Sequence, residues 1–392
     1  MRDFWRLPGA ARWLGAIASD RAAGRSGVVV CPSEYSPPDL VDALRGLSQP
    51  GEPEIFVIES RHGAYCGSSS PDQNAIRLVR IAAERLYLGP VADLSSLATD
   101  PALSRVSVIV DARTEDLGVQ AAWGAFAARF AESCRTLAYR TRPTVWVLMA
   151  PVDGAEPPLP RTDVTFRHRW WWGVLGPVDS AATAESLGFD PDVAACALDV
   201  ARWDLPLLEE LRSWDGTVGG LVTWLPVWAS PGLDELPDPD PCGQRPPPNY
   251  VKAWSAGMVE GWSGVLSAHL NLETRTRRDA AATRMWAGQL AKVLPFIEME
   301  RYRLASWLSQ QLEDGRIVLE PWRGTDIAGM EIGPLAACLL AHRVEHRLAV
   351  PTERVDLLCD LRNARNALAH RRPVDPATVT SLRRRACVDR RR

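Results

Sequence analysis

Three residues near the C-terminus, Arg365, Asn366 and His370, have the types and spacing for proton transfer at a phosphodiester. They lie in the stretch LCDLRNARNALAHRRPVD, from Leu358 to Asp375. On an α-helix Asn366 and His370 are i and i+4 and share one face, with Arg365 on its flank. Metal-free RNA cleavage needs one group to stabilise the phosphate charge and another to move the proton of the 2′-hydroxyl. A guanidinium supplies the first as a fixed fork of donors, and an imidazole supplies the second. Asn366 can orient either partner. Arg362, Arg371 and Arg372 surround the trio, and the following SLRRRACVDRRR adds Arg383, Arg384 and Arg385. Together these arginines would hold an RNA backbone electrostatically. This chemistry calls for no metal and no cofactor. A packing role is also open, because cations are favourable at the negative C-terminal end of a helix.

The trio must be held by a rigid element. Val355, Leu358, Leu361 and Leu368 give its helix an apolar side, with Thr352 as its N-cap and Pro373 beyond its end. The pattern predicts further helices over about Tyr250–Leu270, Ala281–Leu312 and Pro334–Leu348. In the first, Trp254, Met258, Trp262 and Leu266 recur at i+4 steps. Pro295 should start or kink part of the second, and Gly315 should stop it. Residues 249–392 are therefore expected to form an α-helical bundle.

The first half reads differently. Apolar β-rich runs (Gly27–Cys31, EIFVIES, VSVIVDA and TVWVLMA) alternate with helical patterns (DLVDALRGL, QNAIRLVRIAAERLYL and an Ala-rich run from Val119 to Leu137). Short apolar strands separated by helices predict a mainly parallel sheet covered on both faces. From about Arg167 to Trp228 the chain turns helical and rich in tryptophan. The triple tryptophan at 170–172 cannot form one stacking platform, because consecutive side chains point in different directions, so it is assigned to packing. DELPDPDPCGQRPPPNY reads as a linker. The expected class is thus α/β plus all-α. The divisions are a sheet domain over 1–165, a helical Trp-rich segment over 166–235, a Pro-rich linker over 236–248 and the bundle over 249–392.

Composition bounds the function. A hydrophobic content of 46% with 24% charged residues is that of a globular chain. From Asn249 onward the chain carries 23 basic and 16 acidic residues, so the C-terminal part is basic behind an acidic N-terminal one. All but two of the cations, Lys252 and Lys292, are arginine. The eight cysteines are scattered without a Cys-x-x-Cys pair, which gives no zinc or redox motif. No run approaches the ~18 apolar residues of a membrane span. The N-terminal MRDFWRLPGAARWLGAIASDRAAG is read as an amphipathic helix rather than a signal peptide, which makes a cytoplasmic protein the expectation.

Arg365-Asn366-Ala-Leu-Ala-His370 resembles the Arg-x4-His motif of HEPN domains, including the polar residue directly after the Arg. The resemblance covers roughly residues 249–392. It implies a metal-independent endoribonuclease with Arg365 and His370 catalytic and Asn366 assisting, at a composite site formed where two copies dimerise through the bundle. It also implies a toxin or antiphage-defence effector joined to a controlling domain that could receive a protein partner. Where some toxins of the family carry a Tyr two positions after the His, this chain has Arg372. The N-terminal half in turn looks like a P-loop ATPase layout with Asp111 ending an apolar strand, where the magnesium-holding carboxylate would stand. The turn CPSEYSPPDL after the first strand has no Gly and no Lys to cradle phosphates, so the layout is read as degenerate, a sensor or scaffold. A non-catalytic interaction protein that uses the bundle for dimerisation stands as the alternative.

Overall fold

The structure, a computed structural model, describes residues 4–47, 55–59, 93–224, 240–314, 326–346 and 350–390. The chain divides into two compact units, Met1–Asp179 with Trp228–Leu272, and Ser180–Val227 with Glu273–Arg392. These differ from the expected divisions at 165/166 and 236–248. The first unit takes in residues 166–179 and 249–272, and the second takes in much of the Trp-rich segment.

The first unit is an α/β layer structure. Its sheet contains β1 (Ser26–Val30), β2 (Ile55–Glu59), β3 (Ser107–Asp111), β4 (Thr144–Met149) and β5 (Phe166–Trp170), in the order β2-β3-β4-β1-β5. Every pairing is parallel, with Val28 opposite both Val147 and His168, and Asp111 opposite Leu148. Strands β1 and β4 are buried along their whole length, as continuous Val-rich runs in a covered parallel sheet must be. Helices Pro8–Ala22, Leu40–Arg45, Leu94–Thr99 and Leu117–Ser133 accompany the sheet. The expected helix over 73–88 lies outside the described residues.

Two expectations fail in this unit. The start of RHRWWWGVLG is strand β5, not helix. Phe166, His168 and Trp170 alternate with Arg167 and Arg169, which is a period of two, and the neighbouring tryptophans obscured it. Trp171 then packs with Phe4, Trp5 and Trp13, while Trp170 and Trp172 turn to Trp254. The triplet is buried packing, as its geometry requires.

Nor do residues 250–270 form one helix. The helix Val251–Ser255 stops at Gly257, whose φ is 72°, and a hairpin follows with β6 (Val259–Trp262) and β7 (Val265–Ala268). Ser263 and Gly264, both at positive φ, form its two-residue turn. Part of the expected linker belongs to the same structure. The Leu266 amide donates to the Asp240 carbonyl, and the Cys242 amide to that of Gly264, so residues 240–242 run beside β7.

The second unit is helical. A 34-residue helix, Ala280–Glu313, packs with Pro191–Ala201 and Thr352–Ala369, while Ile332–His346 packs on Thr352–Ala369 and Pro376–Arg390 on both Thr352–Ala369 and Pro191–Ala201. It passes through Pro295 without a break. The carbonyl that proline frees belongs to Ala291, and both residues are exposed, so water can satisfy it. Gly288 lets the long helix approach Pro191–Ala201 closely, since a Cβ there would collide with the Ala195 carbonyl oxygen. Beside that contact, buried Arg284 binds Glu273 through Nε (3.0 Å) and donates to the carbonyls of Asp199 and Val200. Gly315 lies outside the described residues.

Candidate functional site

The helix Thr352–Ala369 holds the predicted trio, and four leucines seat it. Leu357, Leu358, Leu361 and Leu368 are each at most 1% exposed. Each contributes roughly 1.5–3 kcal/mol of burial, so the polar face rides on a rigid support. The N-cap position is Pro351, without a side-chain cap, rather than Thr352, which is the first helical residue.

The C-terminal end of this helix is closed by a Schellman arrangement. The Arg372 amide donates to the Ala367 carbonyl (2.9 Å) and the Arg371 amide to that of Leu368 (3.1 Å). Arg371 takes the left-handed position, φ 56°, that usually belongs to glycine. Its guanidinium lies 5.9 Å from the Trp286 ring centroid, and the Trp286 indole donates to the Leu368 carbonyl (2.6 Å).

His370 caps this helix, and its imidazole is exposed, as is Asn366. Arg365, partly exposed, has a loose 3.8 Å contact with the exposed carboxylate of Glu331. The six arginines expected to grip RNA separate into two groups. Arg362, Arg371, Arg372 and Arg384 are exposed or half-exposed, and Arg362 only reaches its neighbour Asn363 at 3.4 Å. Arg383 and Arg385 are committed to the fold. Arg383 forks onto the buried carboxylate of Asp192 (2.8 and 2.9 Å) and stacks over Phe296, and Arg385 pairs with Asp360 (2.7 Å). The segment expected as a basic tail is the helix Pro376–Arg390, which buries Val379, Leu382 and Ala386.

The same unit contains a charge network that sequence reasoning did not find. Glu300 is 1% exposed and bonds Arg303 (2.8 Å) and Arg390. Arg303 also meets Asp389, which accepts from Arg354 (2.6 Å), and Arg354 lies over the Trp307 ring. Burial pushes the Asp389 carboxyl up, but hydrogen bonds from Arg354 and Arg303 outweigh it and hold it below its usual value. Arginine at i+3 from Glu300 was visible in the sequence, but the contacts with residues 354, 389 and 390 exist only in the fold.

A second concave feature lies in the α/β unit. From β1 the chain goes to the far edge of the sheet, returns through β3 and β4 to the side of β1, and then crosses it to β5. Connections thus leave β1 and β4 in opposite directions, and a crevice opens at their carboxyl ends. It has a volume of about 580 Å³, with Ser33 and Glu34 after β1, Arg113–Asp116 after β3, Asp153 and Gly154 after β4, and Lys252 and Ser255 from the hairpin's preceding helix.

The backbone amides after β1 and the carboxylate that ends β3 are engaged within the protein. The Ser33 amide donates to Ser255 Oγ (3.0 Å) and the Glu34 amide to the Ser255 carbonyl (3.1 Å). Asp111 is gripped by Arg113 through Nε (2.8 Å) and Nη2 (2.7 Å). Burial pushes the neighbouring Cys31 thiol up to about 12, the behaviour of a packing cysteine. The sequence carried one overlooked signal, the Asp-Gly pair in VDGA. Val152 and Ala155 bond each other across it, and Asp153 (φ 51°) and Gly154 (φ 81°) form the two-residue turn.

Among the described residues no helix is long and apolar enough to cross a membrane. Comparison of the chain with protein families and with curated proteins finds no match.

Proposed function

We propose that the chain is a metal-independent endoribonuclease of the HEPN type, whose activity resides at Arg365, Asn366 and His370 and is governed by its α/β unit. The observation that carries this reading is a contrast between arginines. In the helical unit Arg284, Arg303, Arg354, Arg383 and Arg385 are fixed by carboxylates within 3.0 Å. Arg365, one residue before the exposed Asn366 and five before the exposed His370, has only its loose contact with Glu331. A guanidinium available to solvent beside an exposed imidazole suits an external phosphate.

In the proposed reaction His370 takes the proton of a ribose 2′-hydroxyl as that oxygen attacks the adjacent phosphorus. Arg365 stabilises the charge that builds on the phosphate oxygens. The 5′-oxygen takes a proton from water and departs as a hydroxyl, the His370 imidazolium returns its proton to water, and the upstream fragment retains a 2′,3′-cyclic phosphate. Asn366 orients the imidazole or the phosphate. Two copies meeting through the helical unit would place two such sets together, and Arg362, Arg371, Arg372 and Arg384 would hold the flanking backbone. A toxin or antiphage-defence role follows from the family likeness.

The test is cleavage of a mixed RNA pool by the purified chain in EDTA. Cyclic-phosphate ends are expected, with a loss of about 10²–10⁴-fold in His370→Ala and in Arg365→Ala and no change in melting temperature. Activity that survives both substitutions removes the assignment. A second reading, a scaffold that dimerises without cleaving, is favoured by the structural work done next to the motif, where Trp286 ties down the helix end and Arg371 stacks on it. A stable dimer with no RNA cleavage would select it.

A further inference from the structure

The switch-point cleft of the α/β unit has a chemistry of its own, independent of the ribonuclease reading. Four loops or helix ends converge on a space of about 580 Å³, within the range of small-molecule sites. Its charges are not self-neutralised. Of its two cations, Arg113 is spent on Asp111 and on Ser36 Oγ (2.9 Å). The other is Lys252, one of only two lysines in a chain with 45 basic residues.

Lys252 is placed by backbone geometry. Its aliphatic stem runs over Gly154, where a Cβ would stand 2.7 Å from the lysine's Cβ and Cγ, so any other residue there would displace it. Its ammonium takes part in no ion pair among the described residues. The same holds for the carboxylates of Asp153, directly before Gly154, and of Glu34. Among the described residues, a cation and two carboxylates from different segments therefore line one space without an ion pair.

This arrangement selects against a polyphosphate. The loop amides of Ser33 and Glu34 are occupied by Ser255, and the carboxylates of Glu34 and Asp153 share the lining with Lys252. A purely cationic ligand would leave Lys252 facing like charge. A small molecule with one anionic and one cationic group meets both demands.

We propose that this cleft binds a zwitterion of amino-acid to dipeptide size, with its carboxylate on Lys252 and its ammonium on Asp153 and Glu34. The paired hydroxyls of Ser33 and Ser255 (2.5 Å apart) lie on the same wall and can take the ligand's remaining polar atoms.

The experiment is calorimetric titration of the full chain with the twenty protein amino acids, glycylglycine, ATP, inorganic phosphate and putrescine. A second readout is protection of Lys252 from an amine-reactive label, located by peptide mass analysis. At least one zwitterion is expected to bind and to shield Lys252. Lys252→Met, which keeps the stem, should weaken that ligand about tenfold or more, and Lys252→Arg should weaken it less. Asp153→Asn should weaken it about three- to tenfold, with the turn intact because asparagine tolerates positive φ. Binding of ATP or phosphate alone, of putrescine alone, of nothing in the panel, or of a zwitterion equally well by Lys252→Met would each overturn the proposal. Since the readout is binding, none of these outcomes bears on RNA cleavage.

Discussion

Glu260 in the α/β unit and Glu300 in the helical unit are both buried, at 8% and 1% exposure, and the two are handled in opposite ways. Glu260 Oε1 accepts from the backbone amides of Gly173 (2.8 Å) and Gly261 (2.9 Å), and among the described residues it has no ion pair. Burial pushes its carboxyl up to about 8, against the lowering effect of those amides. Glu300 is instead held by Arg303 and Arg390. A buried carboxylate can thus be accommodated by backbone donors that tolerate its neutral form, or by arginines that require its charge. In the helical unit Asp192, Glu273 and Glu300 take the second course. The arginines that hold these carboxylates are structural, and this gives meaning to the exposed ones near His370 that hold none.

The sharpest way to break the comparison is to remove Glu300. In Glu300→Ala, Arg303 keeps Asp389, and Arg390, half-exposed, can turn to water. The loss should still be about 2–3 kcal/mol of stability, because a buried charge network loses its centre. Glu260→Gln should cost less than about 1 kcal/mol near neutral pH, since the amide oxygen can accept the same two N–H groups. Paired denaturant titrations of the two variants check the contrast, and equal losses would refute it.

A smaller effect is expected from pH. The Glu260 carboxyl sits near 8 in the fold against an ordinary value of 4.5, so between those values the folded chain binds more protons than the unfolded one. Its contribution to stability is therefore greatest at the acid end and is lost as pH rises towards 8, with a slope of at most about 1.4 kcal/mol per pH unit. Glu260→Gln should flatten the stability profile between about pH 5 and 8 relative to the parent chain. A profile unchanged by the substitution would show that Glu260 is ionised throughout that range.

These contrasts also mark what the sequence could tell. Strands β1 to β4 were legible because a covered parallel strand is a nearly unbroken apolar run, and Val28–Val30 or Val145–Met149 can hardly be anything else. The motif helix was legible because Val355, Leu358, Leu361 and Leu368 keep a helical period. Residues 250–270 were misread because Trp254, Met258, Trp262 and Leu266 fall at i+4 by coincidence, while Gly257 and the Ser263-Gly264 turn decide the backbone. The arginines of residues 383–390 could not be sorted at all, since their partners Asp192, Asp360 and Glu300 lie 25 to 191 positions away. The cleft was hidden for the same reason, because Lys252 reaches it from a segment far from β1, β3 and β4.

The finest division lies directly after the motif, at Arg371. Its left-handed backbone costs about 1 kcal/mol for a residue with a Cβ, and its stacking on Trp286, at 5.9 Å, returns about 0.5 kcal/mol at an exposed site. Arg371→Gly should therefore raise stability by about 0.5 kcal/mol, because the Schellman hydrogen bonds prefer glycine at this position. A purely structural Arg371 leaves any RNA cleavage unchanged in that variant. An Arg371 that holds RNA gives the reverse pairing, a more stable protein with weaker RNA binding and a salt dependence reduced by about one phosphate contact. A residue whose removal stabilises the fold while weakening the substrate's grip would mark this helix end as shaped for a ligand and not for packing.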